Sequence, residues 1–282
     1  MRRIEEVVLD SSGHVTADGA RWLIGLAEAP ALLSPAPLAE AEAMRDCMLS
    51  TMRRTARARG GTPRLRLARG RPTARTHRSY ESQRDEIWNR KWDFRGRPFD
   101  RITQDAIDHD PACAAMPLLG QWTPGDTAHE ACWNTLTDDL KARQIMQATA
   151  APGVSRHHWG TDFDFKELNA APWAAGGTWA DEAAWLRDNA RFFGFIQSFE
   201  TAPAPGEARH MPEPWHWSYW PAAQALVDFT LAHDADVETA LIAQWRTEGT
   251  VATGATVPSR FTFALANWRS FVRNVTQAAP SF

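Results

Sequence analysis

The chain has 282 residues, 44% of them hydrophobic, and a formal net charge of -3. That is enough apolar material for one large domain, or one domain with an added lobe, and the charge argues against a dedicated nucleic-acid binder. No apolar run reaches the about 18 residues a spanning helix needs, so no membrane span is expected.

The first residues, Met1-Arg-Arg-Ile-Glu-Glu, lack the apolar segment of a signal peptide, and the one nearby stretch, Trp22 to Leu33, carries Glu28 and Pro30. Residues 1–38 offer Val7-Val8-Leu9, a Ser-Ser-Gly turn and a short helix, and read as an accessory segment for targeting or assembly. Ala39 to Ala58 suggests a helix that Gly60-Gly61-Thr62-Pro63 ends, after which Arg64-Leu-Arg-Leu-Ala alternates as a strand does. Arg53 to Arg78 contains no acid, and a solvated face is favoured there over an anionic partner. Arg78 follows on a loop. Glu81 to Lys91 is helical in pattern, Pro and Gly break regularity from Gly96 to Gly125, and Thr127 to Gln147 reads as one helix. Trp179 to Phe193 predicts an amphipathic helix and Gly194-Phe195-Ile196 the start of a strand. Pro221 to Ala232 and Val237 to Trp245 predict closing helices, with residues 236–282 as a C-terminal extension packed on residues 39–235. Cys47, Cys113 and Cys132 form no Cys-x-x-Cys; a buried free thiol is the expected state of each, with a Cys113–Cys132 bridge as the alternative in an oxidising compartment.

Two segments carry the chemistry: Ser155-Arg-His157-His-Trp-Gly160-Thr-Asp-Phe-Asp164, and Glu213-Pro-Trp-His216-Trp-Ser-Tyr219. A hydrolytic zinc needs three His or carboxylate ligands, an open position for water, and a nearby carboxylate to take that water's proton. His157, Asp164 and His216 fit as ligands and Glu213 as the base. If Thr161 to Phe165 is a strand, Asp162 and Asp164 share one face, while Phe163 and Phe165 take the apolar one. Gly160 lets the preceding turn curl His157 toward the same ion. In the second segment Trp215, Trp217 and Tyr219 fall on one side and His216 and Ser218 on the other. Glu213 has the wrong parity to lie beside His216 on an ideal strand, and Pro212 and Pro214 predict the bend that swings it there. Asp162 and His158 are alternatives within the first run, since either is able to replace a neighbour as ligand.

These residues resemble the zinc D-alanyl-D-alanine carboxypeptidases and dipeptidases of bacterial cell-wall metabolism, the vancomycin-resistance type. The pattern Ser-x-His-x-x-Gly-x-Ala-x-Asp, then Glu-x-x-Trp-His, falls on Ser155, His157, Gly160, Asp164, Glu213, Trp215 and His216. Thr76-His-Arg78-Ser79-Tyr-Glu-Ser-Gln83 is similar to a third, earlier element, Ser-Gly-Tyr-Arg-Ser-x-x-x-Gln. Asp162 stands where that family usually has Ala, which places a second carboxylate near the metal. The resemblance runs from roughly residue 40 to roughly residue 235.

It implies an α+β fold, with a small antiparallel sheet carrying a single zinc site in a cleft among helices. It also implies hydrolysis of a peptidoglycan stem-peptide bond. Removal of terminal D-alanine is the first choice and an endopeptidase cut in a lysin or antibacterial effector the second; a non-catalytic wall-binding protein comes third. Arg78 stabilises the oxyanion or grips a substrate carboxylate. Gln83 fixes Arg78, Ser155 hydrogen-bonds on the substrate amine side, and Ser79 and Trp217 are further substrate contacts. The implied cofactor is Zn2+ and the implied partner is peptidoglycan, joined by a cognate inhibitor if the chain is an effector. The implied location is the periplasm or cell envelope, although no signal peptide is visible.

Overall fold

Side-chain alternation across three short strands decides where the polar chemistry lies. The structure is a computed structural model that describes residues 4–28, 36–58, 77–95, 99–101, 113, 119–122, 125–165, 168–204 and 207–273. Strands β1 (Phe99–Arg101) and β2 (Leu119–Trp122) pair antiparallel. A second antiparallel sheet holds β3 (Asp162–Asp164), β4 (Phe195–Gln197) and β5 (His216–Tyr219) in the order β3-β5-β4. Helices make up most of the remaining described secondary structure, so the expected α+β class holds.

In the three-stranded sheet Asp162 pairs with Ser218, Phe163 with Trp217 and Asp164 with His216. Paired residues point to the same face and alternate along each strand, so Asp162, Asp164, His216 and Ser218 share one face. Phe163, Trp217, Tyr219 and Phe195 share the other. That apolar face is buried against Met48, Leu49 and Met52 of the helix Ala36–Ala58 and Leu186 of the helix Ala180–Asn189. A second core joins Trp22, Leu23 and Ile24 near the N-terminus to Trp133, Ile145, Trp245 and Trp268. The sheet's polar face is thereby turned away from the aromatic core.

Several expected elements come out differently. Thr127 to Gln147 is two helices, Thr127–Thr135 and Asp138–Met146, because Leu136 is extended and Thr137 starts a new helix. The Thr137 hydroxyl accepts from the Leu140 N–H, and Asp138 and Asp139 sit in the first turn where the helix dipole favours acids. The predicted helix from Glu81 begins as a π-helical stretch, Ser82–Trp88, which a 3.6-residue periodicity does not distinguish from α. The helix Ala180–Asn189 tightens into a 3-10 turn at Ala190–Phe193. The strand expected at Arg64 to Ala68 lies outside the described residues, as does Thr76.

Cys113 and Cys132 form a disulfide, and Cys47 is exposed, so the expectation of three buried thiols is corrected. Residue spacing alone does not reveal that the helix Thr127–Thr135 brings Cys132 against Cys113. With its ends 19 positions apart in sequence, the bridge restricts the unfolded chain by about 3 kcal/mol. Cys132→Ser should therefore lower unfolding stability by about that amount in chemical denaturation. Unchanged stability between oxidised wild type and variant would contradict the bridge.

Candidate metal centre

The 3-10 turn Arg156–Trp159 leads into β3 through Gly160, whose φ of 73° lies in the left-handed region that favours glycine. The turn places the His157 ring beside β3, with its centroid 5.0 Å from that of His216. His157 Nε2 lies 3.2 Å from Asp164 Oδ2, and His216 Nδ1 lies 3.0 Å from Asp164 Oδ1. One donor atom from each of His157, Asp164 and His216 falls within 4.8 Å of the others, close enough to hold one metal ion.

The donor chemistry fits a cation. His157 Nδ1 lies 3.1 Å from the Asp162 carbonyl oxygen, which only accepts, so this nitrogen carries the proton. The Nε2 lone pair is then left facing a carboxylate oxygen of Asp164. Burial lowers the His157 pKa, with Arg78 adding to that, against the pull of Asp164. Two facing lone pairs at so short a distance are unfavourable unless a proton or metal ion lies between them.

Glu213 arrives beside this cluster by the bend that Pro212 and Pro214 predict. Its N–H donates to the Phe199 carbonyl at 2.9 Å, the His216 N–H donates back to its carbonyl at 3.0 Å, and its Oε2 reaches 3.7 Å from His216 Nδ1. Burial pushes the Glu213 carboxyl up to about 8, against the pull of His216. Burial alone would push His216 down, but hydrogen bonds to Asp162 and Asp164 overcome it and push the ring up to about 10. Asp164 stays well below the usual carboxylate range: burial opposes this, and the His157 and His216 rings outweigh it.

Arg78 stands on the other side, its Nη2 3.8 Å from Asp164 Oδ2. Gln83 holds it there by accepting from Nη1 at 2.7 Å while its own amide donates to the Ala150 carbonyl at 2.6 Å. The Arg78 backbone is clamped too, its N–H donating to the His157 carbonyl at 2.9 Å and its carbonyl accepting from His158 Nδ1 at 2.7 Å. His158 Nε2 accepts from the Gly153 N–H at 3.0 Å, so both ring nitrogens are committed and His158 is a brace, not a ligand. Gly25 completes the back wall, since a Cβ there would fall 2.4 Å from His158 Nδ1. His158 as a brace, Gly25 and the buried Arg156 escape sequence reasoning, because each depends on packing between distant segments.

A cavity of about 1100 Å³ opens over the cluster, and Arg78, Ser155, Glu213 and Trp215 line it. Two expected contacts are corrected. Trp217 is 3% exposed on the opposite face of β5, packed in the aromatic core, and donates its indole N–H to the Pro214 carbonyl. Ser79 lies off the cavity lining, with its hydroxyl accepting from the Ser82 N–H at 3.2 Å to start the π-helical turn.

A buried carboxyl and an arginine thus face three convergent donors beside a cavity, which is the set of groups metal-assisted hydrolysis needs. The VanY family profile, D-alanyl-D-alanine carboxypeptidase, matches residues 71–222, more than half of the chain, and the protein belongs to this family of peptidoglycan-acting peptidases. Among solved structures the chain is similar to the LdcB LD-carboxypeptidase, described as revealing the molecular basis of peptidoglycan recognition. That match covers 69% of this chain and 74% of the other at 18% identity, and its TM-score of 0.32 gives it no structural weight. None of the curated proteins compared with the chain matches it significantly.

A metal ion at His216 Nδ1 must displace the proton held there, so affinity should rise about tenfold per pH unit below the ring's pKa of about 10. Calorimetric titration in buffers of different ionisation enthalpy should show proton release on metal binding. Affinity independent of pH from 6 to 8 would contradict this arrangement.

Proposed function

We propose that the protein is a zinc-dependent carboxypeptidase that releases terminal D-alanine from peptidoglycan stem peptides in the bacterial cell envelope. The observation that carries this reading is the convergence of His157, Asp164 and His216 with Glu213 at its edge. Two imidazoles and one carboxylate form the three-ligand set of a catalytic zinc site that keeps a position open. Zinc bound there would lower the pKa of a water toward about 7 and polarise a substrate carbonyl.

The chain's own groups supply the rest. In its ionised form Glu213 takes the proton of the attacking water and returns it to the leaving amine. Arg78, charged at any working pH and held by Gln83, faces the place where negative charge gathers on the carbonyl oxygen. Ser155 lines the cavity and is positioned to hydrogen-bond the substrate near the scissile bond. The Cys113–Cys132 bridge supports a location outside the cytoplasm.

One observation favours a second reading, a cut within the stem or cross-link. At about 1100 Å³ the cavity stands at the upper end of the roughly 300–1,000 Å³ of small-molecule sites, which leaves room for more of the stem than a terminal dipeptide.

Mass spectrometry of defined peptidoglycan fragments separates the two. Loss of one alanine is the expected product, and an internal cut would replace the first reading by the second. Glu213→Ala should keep its zinc and lose roughly two or more orders of magnitude in rate. Full activity in that variant would overturn the role given to Glu213.

A further inference from the structure

The sheet's polar face holds one more charged group than the proposed chemistry uses. Asp162 is fully buried and lies behind His216, away from Asp164. Its Oδ1 accepts from His216 Nε2 at 2.9 Å, from Arg156 Nε at 2.9 Å, and from the Ser218 hydroxyl, while its Oδ2 accepts from the Thr161 hydroxyl at 2.7 Å. Arg156, 2% exposed, is held in turn by the Ser218 hydroxyl at 2.7 Å and the Val272 carbonyl at 3.4 Å. This carboxylate is engaged on every side by donors from the protein and is turned from the cavity, so it is not a ligand.

Residue 162 touches both candidate ligand rings. Its backbone carbonyl takes the Nδ1 proton of His157, and its side chain takes the Nε2 proton of His216. A backbone carbonyl and an ionised carboxylate only accept, so His157 Nδ1 and His216 Nε2 each carry a hydrogen at these contacts and are closed to a metal ion. His157 is left to offer Nε2 and His216 to offer Nδ1, the two atoms that face Asp164. We propose that Asp162 is the positioning residue of the metal centre, fixing the orientation and donor nitrogen of His216 with its side chain, and that Arg156 holds that carboxylate in place. The geometry is that of a carboxylate–histidine–metal relay, in which the outer carboxylate orients the ring and raises its basicity. This inference rests on the zinc reading above.

The test uses the full chain and two replacements. Asp162→Asn keeps an acceptor oxygen for His216 Nε2–H. Asp162→Ala paired with Arg156→Met removes the acceptor without leaving a buried guanidinium unpaired. Thermal unfolding followed by circular dichroism establishes that both fold. Zinc affinity, measured by competition with a chromophoric chelator, should fall by roughly 10–100-fold in the double variant and stay within a few-fold of wild type in Asp162→Asn. Independently, the His216 Nε2–H proton should appear by NMR as a slowly exchanging resonance in wild type and Asp162→Asn, and be lost in the double variant. Wild-type zinc affinity or a retained resonance in the folded double variant would overturn the proposal. If the wild-type protein itself bound no zinc, the zinc reading would fail, and the resonance in metal-free protein would still decide whether Asp162 holds His216.

Discussion

The antiparallel register of β3 on β5 is the constraint on which the site depends, because it sets Asp164 directly across from His216. Side chains alternate with a period of two, so a slip of one residue would turn Phe163 and Trp217 toward the cavity and send both acids into the aromatic core. The register is fixed from the apolar side. Phe163, Phe195, Trp217 and Tyr219 are each at most 5% exposed, and ring contacts such as Phe163 on Phe195 at 5.1 Å specify their order. Burying one such side chain is worth about 1.5–3 kcal/mol, so a slip that exposed several of them would cost about as much as the whole stability of an ordinary domain.

The same register sets charges on the polar face, and they are tolerated because each meets a partner. Asp162 and Arg156 are almost fully buried as an ion pair at 2.9 Å, and hydroxyls of Ser218 and Thr161 satisfy further lone pairs. Breaking a buried pair of this kind by removing one partner typically costs about 3–5 kcal/mol, much of it from the charge left behind. Arg78 is treated differently. Its side chain keeps 27% exposure and lies 3.8 Å from Asp164, so its charge remains available to a substrate in the cavity. One arginine is sealed into the scaffold and the other is held at its mouth.

The separation of Asp162 and Asp164 from Phe163 and Phe165 was readable from alternation alone, as were the turn at Gly160 and the bend that brings Glu213 round. These are local consequences of strand period, glycine conformation and proline geometry. Legibility stopped where distant segments meet. Trp217 belongs to the aromatic floor, as its parity with Trp215 and Tyr219 indicates, and an aromatic residue next to a ligand was a poor guide to substrate contact. His158 is only an alternative ligand in the sequence, and its bonds to the Arg78 carbonyl and the Gly153 N–H show that it braces a loop eighty residues away. The disulfide, the break at Leu136 and the π-helical turn that carries Gln83 likewise depend on caps and packing that a period does not encode.

In the proposed centre His157 Nε2, His216 Nδ1 and a carboxylate oxygen of Asp164 converge on one ion. Long-range 1H–15N correlation spectra of the histidine rings, recorded as zinc is added to the full chain, test it most directly. His157 should change at Nε2 and His216 at Nδ1, each at one equivalent of zinc, while His158 keeps both of its ring signals. Coordination through His216 Nε2, or a zinc-dependent change at the His158 ring nitrogens, would contradict it.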